Sequence, residues 1–370
     1  MRNLLLLSLT LSLSIPVSAK VVDVYFGTSG SNSKGIYQAT LDTESGKLSS
    51  AAVAAEIGSP GFLAMDTKQS HLYAVANDGE PCVAAYSIDS VGKLTLLNTE
   101  AIGNGGAAHI SVHPSGKFLL TAQYRSGSVA LFPIAADGSI EPRGQLIKHE
   151  GGSKVVKRRQ DSPHPHWTGY SPDGKFAFVP DLGKDQIIVY KVDTHTPSIV
   201  PHGHIQALPG SGPRHMRFSA DGKFIYLLNE LTLSVTTFAY NANTGTAQMR
   251  STTAALSEEV KDKEAFNSAS EILVHPNREF VYSANRGNDT VTVYQANPKT
   301  GQLKVLEVEA IRGSFPRNIN LDPSAKWLLA AGQHSNTVAV FAIDQDTGGL
   351  TFQTRNIISV PGSICILFRN

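Results

Sequence analysis

The sequence predicts an all-β protein: a seven-bladed β-propeller with four antiparallel strands per blade, closed by its C-terminal strand joining the N-terminal blade. Three observations lead there. One hairpin phrase, two apolar strands joined at Ala220-Asp221-Gly222-Lys223 in "GPRHMRFSADGKFIYLLNE", recurs along the chain at a period of about 50 residues. Each copy is followed by two more alternating or β-branched runs, as in "SVTTFAY" and "TAQMRSTTA", so that a unit holds four strands. A final copy of the first strand, "VPGSICILF" at 360 to 368, has no unit after it, whereas the unit opening the chain, "VVDVYFGTS" and "GIYQATLD", lacks that strand.

In chain order, residues 1 to 19 read as a cleaved signal peptide. Arg2 is followed by an apolar run from Leu4 to Val17 and by the small residues Val17-Ser18-Ala19. The run is interrupted by serines and Pro16, and it is shorter than the ~20 apolar residues a membrane span needs. The mature protein, 20 to 370, is expected to be a single propeller domain, a monomer, periplasmic or secreted, and free of the membrane once cleaved. Losing Arg2 brings Lys plus Arg from 32 to 31, level with the 31 Asp plus Glu, and a neutral chain has no electrostatic footprint for nucleic acid. Cys82 and Cys365 lie far apart in apolar runs and are expected to be buried free thiols.

After the weak copy "FLAMDTKQSHLYAVAND" come "HISVHPSGKFLLTAQY", "HWTGYSPDGKFAFVPD", the phrase quoted first, "EILVHPNREFVYSANR" and "NINLDPSAKWLLAAGQ". Their turns align at Lys68, Ser115, Asp173, Asp221, Asn277 and Ser324, with spacings of 47, 58, 48, 56 and 47. The two long spacings hold extra residues around "KHEGGSKVVKRRQDSPHPH" and "LSEEVKDKEAFNSASE", both in connections leading into a first strand. Within the second, 257 to 266 is the one stretch outside the signal peptide with helical composition. In this arrangement the start of each first strand, the end of each second strand and the blade-to-blade connections share one face of the ring. That mouth collects Gly61, Ala108, His166, Arg214, Ser270, Arg317 and Gly362 with Asp78, Tyr124, Asp181, Glu230, Arg286 and Gln333. An apolar, regular repeat with polar mouth positions that differ from blade to blade is a framework carrying a site. The basic run Lys154, Lys157, Arg158 and Arg159 reads as a solvated loop or as a receiver for an anionic ligand group.

Three segments, "RRQDSPHPHWTGYSPDGKFAFVPDLGKDQI", "GPRHMRFSADGKFIYLLNE" and "SEILVHPNREFVYSANRGNDTV", resemble the propeller-type 6-phosphogluconolactonase family, which includes the fungal 3-carboxymuconate lactonising enzymes. The resemblance runs over nearly the whole mature chain. It implies a seven-bladed propeller that interconverts lactones and hydroxy acids without a metal or organic cofactor. It places catalysis on His166 of H-x-H, Arg214 of P-R-H, Glu230 of N-E and Arg286 of N-R-G, all of which are mouth positions. His164, Arg159, Arg317, Asp181 and His215 are the candidate substrate contacts around them.

Opening a lactone needs an aimed water, a group to take its proton, and donors for the oxyanion. His166 is expected to be the base because an imidazole titrates near neutrality; Glu230 between arginines is expected to be a weak base that orients water or a guanidinium. Arg214 and Arg286 would polarise the carbonyl and hold an anionic group of the small-molecule substrate, with Arg317 and the basic loop outside them. Three alternatives remain at this level: a muconate-type lactonising cycloisomerase, a non-catalytic binding propeller, and a metal site using His164 and His166 with Asn229, Glu230 and Asn285. There is no G-x-S-x-G, H-E-x-x-H or phosphate-binding G-x-x-x-x-G-K-[ST] segment to suggest other chemistry.

Overall fold

The computed structural model describes residues 21–276 and 279–370. The signal-peptide expectation for 1 to 19 and the turn residue Asn277 lie outside them. The chain forms seven antiparallel sheets of four strands, and in six of them the strand order follows the sequence. Blade one is the exception: Ser363–Arg369 pairs with Val21–Thr28, followed by Gly35–Asp42 and Ala52–Glu56. The closure predicted from the unmatched C-terminal copy is therefore present.

Blades two to seven begin with inner strands Gly58–Met65, His109–Val112, Gly169–Tyr170, Pro213–Phe218, Ser268–Val274 and Pro316–Leu321. Inner strands of all seven blades line a central channel of about 420 Å³. Seven apolar layers, one between each pair of neighbouring blades, make up the core. A middle strand is therefore covered on both faces, and Phe224–Asn229 is buried at every position. The outermost strands face solvent on one side and read as alternation, as Thr246–Ala254 does. Ring closure does not remove every sheet edge: each blade keeps an outer one, and Leu303–Ala310 carries exposed Lys304 with half-buried Glu307 and Glu309 among its aliphatics, charges that discourage edge pairing.

The recurrent turn explains why some copies of the phrase are hard to see. Its last-but-one position needs a left-handed backbone, supplied by Gly116, Gly174 and Gly222 at φ of 71, 71 and 70°. Gln69 and Ala325 hold the same place at φ 55°, so the geometry persists where the glycine signal is gone. The helical stretch at 257 to 266 yields only Glu258–Lys261, capped by Ser257. Cys82 and Cys365 are buried and free. No helix among the described residues is long and apolar enough to cross a membrane.

Candidate active site

The inner strands of blades five and seven are both bulged at the mouth. Pro213 pairs with Asn229 and His215 with Leu228, which leaves Arg214 as an extra residue; Pro316 pairs with Gly332 and Asn318 with Ala331, which leaves Arg317 in the same situation. A bulge turns its side chain out of the pleat. Blade six has a register shift of its own between Ala269 and Ile272, around Ser270 and Glu271.

Glu230 follows directly on the strand Phe224–Asn229 and is 5% exposed. Its Oε2 accepts from Nε of Arg214 at 2.9 Å, and its Oε1 lies 2.6 Å from Nη2 of Arg159 and 3.3 Å from Nη2 of Arg286. Burial opposes ionisation of this carboxyl, but the guanidiniums of Arg286, Arg214 and Arg159 outweigh it and hold its pKa far below the usual carboxylate range. Glu230 is thus a fixed anion that organises guanidiniums, as expected of a weak base.

Arg159 arrives from the insertion between blades three and four. The neighbouring Gln160, fully buried, accepts from the Val156 N–H at 3.0 Å and donates to the Leu182 carbonyl at 2.9 Å and to Asp185 Oδ1 at 2.6 Å. That anchor leaves Arg159 to reach across to Glu230 while Lys154, Lys157 and Arg158 stay exposed. Of the basic run, one residue belongs to the site and three to the solvated loop.

His166 is 6% exposed and sits just ahead of the short strand Gly169–Tyr170, its N–H bonded to the Pro180 carbonyl at 3.1 Å. Tyr124 meets its ring edge-on at 5.4 Å and stacks on His164 at 4.6 Å. Burial first, then Arg214 and His215, push the His166 pKa well below its ordinary value, so the imidazole is neutral. This corrects the expectation of a base titrating near neutrality.

A pocket of about 720 Å³ opens at this face, lined by Arg159, His166, Glu230, Arg286 and Arg317, with Tyr124, Arg125, Asn77, Ser59 and Gly106 to Ala108 completing the wall. Four of the nine site residues predicted from sequence do not line it. Arg214, 2% exposed, lies beneath the floor, bonded to Glu230 and to the Ser270 carbonyl. His215, equally buried, lies behind His166. Asp181 is fully buried and accepts from the N–H groups of His164, Gly183 and Lys184 and from His149, which fastens the insertion to blade four. His164 binds the Tyr124 carbonyl through Nδ1 at 2.8 Å. Asn229 and Asn285 donate their Nδ2 groups to hydroxyls of their own blades, Ser234 with Thr236 and Thr290 with Thr292, while their buried Oδ1 atoms accept no hydrogen bond. Among the described residues no three His, Cys, Asp or Glu side chains gather where they could hold a metal ion. Sequence reasoning had Tyr124 at the mouth without a role, and missed Asn77 and Arg125.

Arg159, Arg286 and Arg317 at the wall and Arg214 under it face a single carboxylate, so an anionic ligand is favoured. Arg317 has its pKa lowered to about 10 by burial and by Arg286, still ample to keep it charged. Arg214→Lys retains the charge but cannot satisfy Glu230 and the Ser270 carbonyl together. It is expected to lower stability by about 1.5–3 kcal/mol, the worth of a hydrogen bond to a charged group, measured as a shift in the denaturant midpoint.

With this geometry established, comparison with known proteins is direct. A 6-phosphogluconolactonase from Bacillus subtilis (strain 168) is 34% identical over 347 residues, covering 93% of this chain and 97% of its own. Another, from Formosa agariphila, is 33% identical and covers 85% of this chain and 90% of its own. A periplasmic gluconolactonase from Pseudomonas aeruginosa superposes with a TM-score of 0.87 at 28% identity, over 95% of this chain and 99% of that one. A sequence model described as "Lactonase, 7-bladed beta-propeller" matches residues 23–368, and the chain belongs to that family.

Proposed function

We propose that the protein hydrolyses a sugar-type lactone carrying an anionic group to its hydroxy acid, in the pocket at the channel mouth. The observation that carries this reading is the convergence, on one wall, of a neutral imidazole, an ionised carboxylate and more guanidiniums than that carboxylate can neutralise. The naming of relatives as 6-phosphogluconolactonases and of a structural neighbour as a gluconolactonase supports it.

In this mechanism the lactone carbonyl lies against Arg286 and Arg317, whose N–H groups are fixed before charge develops on the oxygen. Glu230 holds Arg286 and Arg159 in place. His166 takes the proton of the attacking water and returns it to the ring oxygen as the C–O bond breaks. Arg159, with Arg125 at the rim, receives the anionic substituent. Export through residues 1 to 19 and action as a monomer belong to the same proposal; the first is supported by the periplasmic neighbour.

The test is acid release by purified protein from glucono-1,5-lactone, its 6-phosphate, a uronic acid lactone and a muconolactone. Hydrolysis of a sugar lactone, with the lower KM for an anionic one, is expected. Turnover of the muconolactone alone would move the protein to the lactonising branch, and no turnover of any would leave a binding propeller.

A further inference from the structure

Behind the pocket wall a carboxylate and two imidazoles form one hydrogen-bonded line across three blades. Glu271, 1% exposed on the inner strand of blade six, has Oε1 3.0 Å from Nδ1 of His215 on blade five. Nε2 of His215 is 3.2 Å from Nδ1 of His166, which enters blade four. Of the three, His166 lines the pocket and the other two do not.

The donors along this line can be assigned. Glu271 Oε1 also accepts from Nη2 of Arg217 and from the Ile272 N–H, each at 3.0 Å, and Oε2 accepts from Nδ2 of Asn318 at 2.7 Å. The Asn318 amide is itself oriented, because its Oδ1 accepts from the Ile366 N–H at 2.9 Å. Every neighbour of Glu271 is thus a donor, and the carboxylate is held as pure acceptor. His215 must donate from Nδ1. A neutral imidazole that donates from one nitrogen accepts on the other, so His166 must donate from its own Nδ1. His215 is kept neutral by burial and by Arg214 and Arg217.

We propose that Glu271 and His215 are positioning residues that lock His166 in the Nδ1–H tautomer and so turn an unprotonated Nε2 to the pocket. This rests on the hydrolytic reading above. During the reaction Nε2 takes one proton from water as the water oxygen bonds to the carbonyl carbon, and gives it to the ring oxygen as the ester bond breaks. Nδ1–H stays in place throughout. The transient imidazolium faces Arg214 and Arg317, which oppose it, and Glu230, which favours it. His215 faces Arg214, Arg217, Arg286, Arg317 and the ring of His109, with Glu271 as its carboxylate. Glu271 and Glu230 are the two anions that offset the cost. A network serving only to hold the blades together would not need to end on the pocket.

Nitrogen NMR of ¹⁵N-histidine-labelled protein tests this, with the His166 signals assigned by their loss in His166→Gln. A protonated Nδ1 and bare Nε2 on His166 are expected at neutral pH. In Glu271→Gln and His215→Phe a population with Nε2 protonated should appear, and kcat should fall on the order of 10²-fold or more with KM within about twofold, as when the carboxylate that sets the tautomer of a catalytic histidine is removed. An Nε2–H tautomer in the unmodified protein overturns the proposal, and that measurement decides alone if the variants do not fold. Folded variants with unchanged kcat overturn it as well. Absence of hydrolysis with every lactone is a different result: it removes the catalytic purpose and sinks the hydrolytic reading, while the NMR still decides the tautomer.

Discussion

His166→Gln is expected to lower kcat for lactone hydrolysis by about 10²–10⁴-fold, the usual worth of a positioned general base, with KM and Tm nearly unchanged. Glutamine can still donate to Nε2 of His215, so the buried line beneath the pocket stays satisfied while the basic lone pair disappears. The pH profile of the unmodified protein supplies an independent check. The His166 pKa lies well below its ordinary value of 6.5, so the active, neutral form is lost only as pH falls through that depressed value. The acid limb of kcat/KM should therefore lie clearly below pH 6.5, and it should be absent from the residual activity of His166→Gln. An acid limb centred on 6.5 would mean that the titrating base is a solvent-exposed group and not this one.

Ending the chain at Val360 is expected to abolish cooperative folding. The deletion removes the strand Ser363–Arg369, paired with Val21–Thr28 in step from Asp23↔Arg369 to Gly27↔Cys365 and, past a bulge at Ile364, at Thr28↔Ser363. It uncovers layers holding Cys365 and Ile366, each 2% exposed, and removes Arg369, whose guanidinium binds Asp23 and the carbonyls of Gln69 and Asp89. Each apolar side chain of this kind contributes about 1.5–3 kcal/mol and each lost ladder bond about 0.5–1.5 kcal/mol. Over a strand of seven residues the total is comparable with the ~5–15 kcal/mol that holds an ordinary domain together. A truncated protein with the full-length Tm would refute this account of closure.

The ring was legible because its units repeat: a strand phrase with a turn at a fixed offset survives even where Gln69 or Ala325 replaces the turn glycine. The mouth was legible for the residues that leave the ends of regular strands, such as Glu230 and Arg286. It was misread at the bulge that carries Arg214. Period-two alternation assigns a face only while pairing stays in step, and at Arg214 and Arg317 one extra residue breaks the count. Both were placed at the mouth, but which of them enters the pocket and which passes beneath Glu230 depends on backbone detail with no sequence signature. Glu271 was passed over for the same reason, since "SASEILV" shows one acid in an apolar strand and a register shift decides where it points. His164 and Asp181 misled in another way. Their polar character serves the insertion, whose backbone N–H groups needed an acceptor and found Asp181.

Closure by the far end of the chain also sets an order of events. Asp23 and Arg369, joined across blade one, are 346 residues apart. At a synthesis rate of about 5–20 residues per second, the first blade waits on the order of tens of seconds for its inner strand. During that interval Val21–Thr28 presents an unpaired edge, and the layer between blades one and seven has only one of its walls. A ring of this kind matures by a last step that is also its longest-range contact, so the growing chain must be kept from pairing elsewhere until its final residues arrive.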